Sequence, residues 1–215
     1  MDKKDMTIVI CCAGMGTRLG IGTTKALVNV CNKPLIIRQL EMLGKYDDIR
    51  IVVGYQAESV IKVVNEYRRD IMFAFNYEYE KTGVAASFSK GLVGSRKYVV
   101  VMDGDLLVRP SDMKMFLNNS EECIGVTDVN SDAPVFVDVD LSGQVTGFNQ
   151  NCGKLEWSGM AKVKSKRLTP EKSHMFDMIT PLLPLPAFRL NAREIDTPDD
   201  YDRIVEWIKN GYTYS

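Results

Sequence analysis

An apolar run, Thr7 to Ala13, stops abruptly at Gly14-Met15-Gly16-Thr17-Arg18-Leu19-Gly20, and Lys25 follows shortly after. A chain with this feature is constrained to put a buried strand next to a tight, glycine-rich loop carrying two cations. The strand brings bare backbone N–H groups to the loop, and amides plus cations make an anion site. A phosphate chain is the commonest such anion.

The spacing excludes two familiar phosphate loops. A dinucleotide fingerprint needs G-x-G-x-x-G and a carboxylate at the end of the second strand. Here the third glycine, Gly20, falls one place late and the second strand ends in Gly54-Tyr55. A G-x-x-x-x-G-K-[ST] loop is also missing. Arg18 and Lys25 suit a triphosphate whose charge must be held while one bond breaks. Taken alone they also fit two solvated loop charges.

Further along, strand and helix patterns alternate. Lys33-Pro34 opens a helix whose apolar face is Leu35, Ile36, Leu40 and Leu43, with proline at the first helical position. Ile49–Val53 is a β-branched strand, Val60, Val63, Val64 and Tyr67 form an amphipathic stripe, and Met72–Phe75 is a third strand. A polar loop over 77–83 and a short helix over Val84–Val93 lead to a strand at Tyr98–Met102, which runs into Asp103-Gly104-Asp105. Such repeats predict a mostly parallel sheet covered by helices, with ligands at the carboxyl ends of its strands.

Beyond Leu106 the pattern changes. Strands are expected at Cys123–Thr127, Val135–Leu141, Val145–Phe148 and Trp157–Val163, with a Ser142-Gly143 hairpin turn. A helix is expected over Pro170–Ile179 and an extended run over Phe188–Ile195. Thr197 as N-cap, Pro198 and the Asp199-Asp200 pair begin a last helix, which Gly211 stops. The whole chain, 1–215, is expected to be a single domain with a variable lobe at about 107–190.

The balance of 27 basic and 28 acidic residues gives no electrostatic footprint for nucleic acid or an anionic membrane. Five cysteines without C-x-x-C spacing and a single histidine, His174, argue against zinc and read as reduced thiols. The charged start, Met1 to Asp5, precedes only about seven apolar residues, too few for a signal peptide or a membrane span. A cytoplasmic protein is expected. Oligomeric state is not legible, although Trp207, Tyr212 and Tyr214 could mark a contact surface.

Asp103 and Asp105 end a buried strand, where an unpaired carboxylate is costly, so they need water, donors or a cation. Asp196 precedes the N-cap of the last helix. Each alone fits a structural cap, Asp105 of a turn and Asp196 of the helix.

Together these segments resemble the nucleotidyltransferases of the GT-A-like fold. Gly14-Met15-Gly16-Thr17-Arg18-Leu19, Lys25-Ala26-Leu27 and Lys33-Pro34-Leu35-Ile36 carry the likeness, with Asp103-Gly104-Asp105 and Glu194-Ile195-Asp196. The branch most similar is that of bacterial choline-phosphate-type cytidylyltransferases, on Asn76-Tyr77, Ala86-Ser87 and the closing Glu194 to Tyr201. Two departures, Thr24 in place of a proline and Ala13-Gly14 in place of two glycines, point away from the sugar-phosphate members.

The resemblance implies a three-layer, Rossmann-like α/β fold with a mostly parallel, mixed sheet. It implies a Mg²⁺-dependent enzyme joining CTP to a small phosphorylated or phosphonate head group and releasing pyrophosphate. Asp105 and Asp196 would hold the metal, Arg18 and Lys25 the triphosphate. Ala13, Gly14, Met15, Gly16, Thr17, Ala86, Ser87 and Asp103 would surround the nucleotide. The alternatives are a sugar-1-phosphate nucleotidylyltransferase using UTP, dTTP or CTP, and a nucleotide-sensing module without turnover. For the acceptor, Phe136, Asp138, Asp140 and Trp157 offer aromatic and acidic faces, and Glu156 and Lys162 could recognise a zwitterion or sugar. Met113, Met115, Met160, Met175 and Met178 read as core filler, and His174 as a surface helix residue.

Overall fold

A computed structural model describes residues 3–213; Met1, Asp2, Tyr214 and Ser215 lie outside the described residues, and with them the contact role expected of Tyr214. The first half runs β1 (Met6–Cys12), β2 (Asn29–Val30), β3 (Lys33–Pro34), α1 (Leu35–Met42), β4 (Ile49–Val53), α2 (Ala57–Tyr67), β5 (Met72–Phe75), α3 (Val84–Gly91) and β6 (Tyr98–Asp103). The second half runs β7 (Leu106–Val108), α4 (Pro110–Asn118), β8 (Cys123–Asp128), β9 (Phe136–Val139), β10 (Gln144–Asn149) and β11 (Leu155–Lys164). It ends with α5 (Met175–Ile179), β12 (Leu185–Arg189), β13 (Ala192–Glu194) and α6 (Pro198–Lys209).

Nine strands form one sheet in the order β5-β4-β1-β6-β11-β8-β12-β10-β9. The run β5-β4-β1-β6 is parallel throughout. Past β6 the sheet is mixed: β11 is antiparallel to β6 and β8, and β12 is parallel to β8. This is the expected α/β architecture.

The alternation of β1 sets its layers. Ile8, Ile10 and Cys12 enter a core with Ile36, Leu40, Val60, Met113 and Phe116 on one face. Val9 faces the other way into a core with Ala85, Phe88, Met175 and Ile179. Both faces are covered, so β1 is apolar almost throughout. Among the described residues, no helix is long and apolar enough to cross a membrane.

Several expectations are corrected. Pro34 is the N-cap of α1 rather than its first residue. Helix α5 begins at Met175, not Pro170, because the Lys172 and Ser173 carbonyls accept from Gly83 N (2.9 Å) and Ala85 N (3.4 Å). The run expected over Phe188–Ile195 is two strands, since β12 joins β8 and β13 leaves the main sheet to pair with β7. Trp207 is buried rather than a contact surface; it packs with Leu19, Val28, Leu107 and Ile204, with Tyr212 edge-on and the Arg193 guanidinium over its ring. Of the five methionines expected as core filler, Met115 is exposed, while Met113, Met160, Met175 and Met178 are buried. Helix α6 has the expected cap: Thr197 Oγ1 accepts from Asp200 N, and Asp200 Oδ2 accepts from Thr197 N (2.8 Å).

Lys162 recognises no acceptor. It is wholly buried, and its Nζ donates to Phe116 O (2.9 Å) and Asn119 O (2.6 Å) at the C-terminal end of α4. A cation there satisfies carbonyls that the helix leaves unpaired. Burial lowers its pKa. Replacing Lys162 by Met strands those carbonyls, and the expected loss of unfolding free energy is about 1–3 kcal/mol. Urea denaturation measures it, and an unchanged midpoint would contradict the capping role.

Candidate active site

Sheet register brings the glycine loop and the carboxylates together. Cys11 of β1 lies opposite Asp103 of β6, and Gly104 N donates to Cys11 O (3.0 Å). A Cβ at Gly104 would meet Cys11 O at 2.6 Å, so the turn closes this tightly only with glycine. Two backbone carbonyls, Asp103 O and Leu106 O, receive the side-chain amide of buried Gln39 from α1 (2.9 and 2.7 Å). Asp196 arrives through the short β7–β13 ladder, in which Glu194 faces Leu106 and Ile195 N donates to Asp105 O (3.1 Å). Its own N–H is held by Asp200 Oδ2 at the start of α6 (3.1 Å).

The cations close the arrangement. Lys25 Nζ lies 2.6 Å from Asp105 Oδ2 and also pairs with Asp196 Oδ1. Arg18 reaches Asp196 Oδ2 from the outside at 2.7 Å, its side chain mostly exposed. Gly16, at φ +62, adopts a left-handed conformation. A Cβ there would press on the Lys25 stem at 2.8 Å.

These groups line a cavity of about 260 Å³ whose walls include Gly14, Gly16, Arg18, Lys25, Asp105 and Asp196. A second, of about 150 Å³, is lined by Trp157, His174, Phe176 and Ser131. Val84, Asp103 and Glu194 face both cavities. Burial, reinforced by Asp105, pushes the Asp103 carboxyl up to about 8 against the pull of Lys25. Asp103 Oδ1 is buried without a hydrogen-bond partner. Burial and the same carboxylates raise Glu194 well above the ordinary range. The Cys11 and Cys12 thiols, which line the first cavity, are likewise pushed up by desolvation and stay protonated.

The other predicted residues sit around this centre. Ala13 is buried and its carbonyl accepts from Tyr55 N (3.0 Å), while Met15 and Thr17 are at the loop surface. Ala86 and Ser87 are buried on α3, a turn along from Val84, and Ser87 Oγ accepts from Asn76 Nδ2 (3.0 Å). Of the acceptor candidates only Trp157 lines the second cavity. Asp140 holds the hairpin turn, Asp138 accepts from Asn149, and Phe136 packs over Gly153. Buried Glu156 accepts from Asn130 N and Ser131 Oγ, fixing the loop that carries Ser131. His174 stands at the start of α5, stacked on Phe176 (5.0 Å) and facing the cavity. No local feature of the sequence assigns a role to Glu194, Gln39 or Gln56. For Glu194 the available signal is a carboxylate at the end of an extended run, two residues before Asp196.

The mixed sheet thus brings a cation-bearing glycine loop to face the Asp105 and Asp196 carboxylates. The chain belongs to the family of the MobA-like NTP transferase domain, whose model matches residues 8–160. It is 27% identical over 187 residues to the bifunctional protein GlmU of Aliarcobacter butzleri, covering 85% of this chain and 40% of that protein. The chain thus spans less than half the length of that relative. The CTP:phosphocholine cytidylyltransferase LicC of Streptococcus pneumoniae has the same fold, with a TM-score of 0.77 at 22% identity over 95% of this chain and 99% of that one. HddC of Yersinia pseudotuberculosis complexed with GMP-PN also has it, with a TM-score of 0.77 at 21% identity over 94% and 99%.

The raised Asp103 carboxyl makes stability depend on pH. Its folded-state value, about 8, exceeds the unfolded value near 4, so between them the folded state holds the extra proton. Stability therefore falls as pH rises through that window and levels off above it. Asp103→Asn keeps the shape of the protonated acid and is expected to flatten the fall. Urea unfolding at the two ends of the window decides, and an unchanged slope would contradict the assignment.

Proposed function

We propose that this nucleotidyltransferase joins CTP to a small phosphorylated or phosphonate compound with a cationic head, phosphocholine-like in chemistry, and releases pyrophosphate. The observation that carries the reading is the cluster of Lys25, Asp105 and Asp196 beside a second cavity with aromatic and acidic walls. The preference for CTP rests on the resemblance to choline-phosphate-type cytidylyltransferases.

The donor set fits Mg²⁺. Asp105 and Asp196 are a pair of partly buried carboxylates joined by one ammonium, a single positive charge between two negative ones, where a divalent ion would balance both. Such pairs, completed by phosphate oxygens and water, are a usual Mg²⁺ site. Asp105 and Asp196 would hold the ion, which would neutralise phosphate charge as a Lewis acid.

The protein's own part is positioning and charge. The amides of the Gly14–Thr17 loop face a triphosphate, and Arg18 and Lys25 bear on its charge as the bond breaks. An acceptor phosphate oxygen forms the new bond to the α-phosphorus in line, and the bond to pyrophosphate breaks. A phosphate is already ionised near neutral pH, so no side chain has to take a proton. Trp157 and Phe176 offer π faces to a cationic head, and Asp103 and Glu194 offer oxygens beside it.

Asp105→Ala, Asp196→Ala and Lys25→Ala are each expected to lower turnover on the order of 10²–10³-fold with the fold retained. Pyrophosphate release and circular dichroism read the two quantities, and near-normal turnover removes the role from that residue. Trp157→Ala is expected to raise KM for the acceptor about tenfold with KM for the nucleotide unmoved. A screen of phosphorylated acceptors in a competition of four NTPs tests the substrates. Preference for ATP or GTP rejects the base assignment, and exclusive use of sugar 1-phosphates replaces this reading by that of a sugar-1-phosphate nucleotidylyltransferase.

A further inference from the structure

Gln56 stands just beyond β4 in a left-handed conformation (φ 50) and belongs to none of the groups that line the cavities. Its side chain nevertheless makes contacts on three successive residues of the phosphate loop. Oε1 accepts from Thr23 Oγ1 (3.0 Å) and from Thr24 N (3.1 Å), and Nε2 donates to Gly22 O (3.0 Å). The next residue is Lys25. Thr24 caps the short turn Lys25–Leu27, its carbonyl accepting from Leu27 N (3.0 Å), so whatever holds Thr24 also aims Lys25.

Thr24 is itself almost wholly buried, and its backbone angles are φ −62 and ψ 142. The φ is the one a proline ring enforces, and the pair is ordinary extended backbone that threonine also adopts. Threonine differs in bringing an N–H that a proline lacks. Buried, that N–H needs an acceptor, and Gln56 Oε1 is in place to supply it.

We propose that Gln56 is a positioning residue: with Thr24 it forms a polar clamp that fixes Gly22–Thr24 and thereby holds Lys25 between Asp105 and Asp196. The clamp supplies by hydrogen bonds the restraint that a proline would supply by its ring. Gln56 touches no reacting group in this account, which rests on the role of Lys25 given above.

The test is a cycle of Gln56→Ala, Thr24→Pro and the double variant, with Gln56→Glu added. Turnover, both KM values and melting temperature are measured, together with hydrogen–deuterium exchange of the amides of residues 22–27 without substrates. Gln56→Ala is expected to lower kcat about tenfold with the acceptor KM unmoved, and to speed exchange over 22–27. In the Thr24→Pro background the same change costs at most about twofold, because no buried donor is left unpaired. Gln56→Glu keeps the acceptor oxygen but loses the bond to Gly22, and falls between the two.

Equal losses in both backgrounds overturn the clamp, as does a lowered melting temperature with kcat unchanged. If the wild type turns over no nucleotide, the proposed function fails while the exchange measurement still decides. Faster exchange in Gln56→Ala that the proline suppresses upholds the clamp, and unchanged exchange overturns it.

Discussion

The parallel pairing of β1 with β6 is the constraint on which the site depends. With Cys11 opposite Asp103, the strand that ends in glycines and the strand that ends in carboxylates finish side by side. A slip of one residue would turn Asp103 to the other face and move Gly104 away from Cys11 O. The register is safe because β1 is buried on both faces and packs into separate cores. Stability of the sheet and geometry of the site are therefore one property.

Around that junction the charges are dense. Asp105 and Asp196 pair with Lys25, Arg18 joins Asp196, and burial together with Asp105 raises the neighbouring Asp103 and Glu194 carboxyls toward their protonated forms. Side chains under such load stay in place only if their backbones cannot yield. Three pins provide that rigidity. Gln39 holds the 103–106 turn, Asp200 holds the approach to Asp196, and Gln56 holds the residues before Lys25. Two of the pins are uncharged amides, so they add restraint without adding to the electrostatic strain.

The sequence made the charged elements legible and left the pins hidden. The glycine loop, the strand ends and the α6 cap announce themselves through local rules of spacing, apolar runs and capping residues. Most of the strands follow from β-branched runs. Gln39 and Gln56 follow from no local rule, because an amide acquires its role only from which distant backbone it reaches. The same holds for Lys162, whose role comes from the α4 carbonyls it reaches, and for Trp207, whose role comes from the distant side chains that cover it. Helix α4 carries local signals, Pro110 at its start and the Met113, Phe116, Leu117 spacing, but it is a short amphipathic stretch between two strands.

The two halves of the sheet also divide the chemistry. The parallel half presents the glycine loop, its cations and the Asp103 and Asp105 carboxyls. The mixed half, through β11 and the start of α5, presents Trp157, His174 and Phe176 to the second cavity. Asp103 and Glu194 border both cavities, so a cation in the second would lower the repulsion among the carboxylates of the first. A neutral acceptor offers no such relief. Under the proposed function, these shared carboxyls would link the charge of the acceptor head group to the electrostatics at the glycine loop.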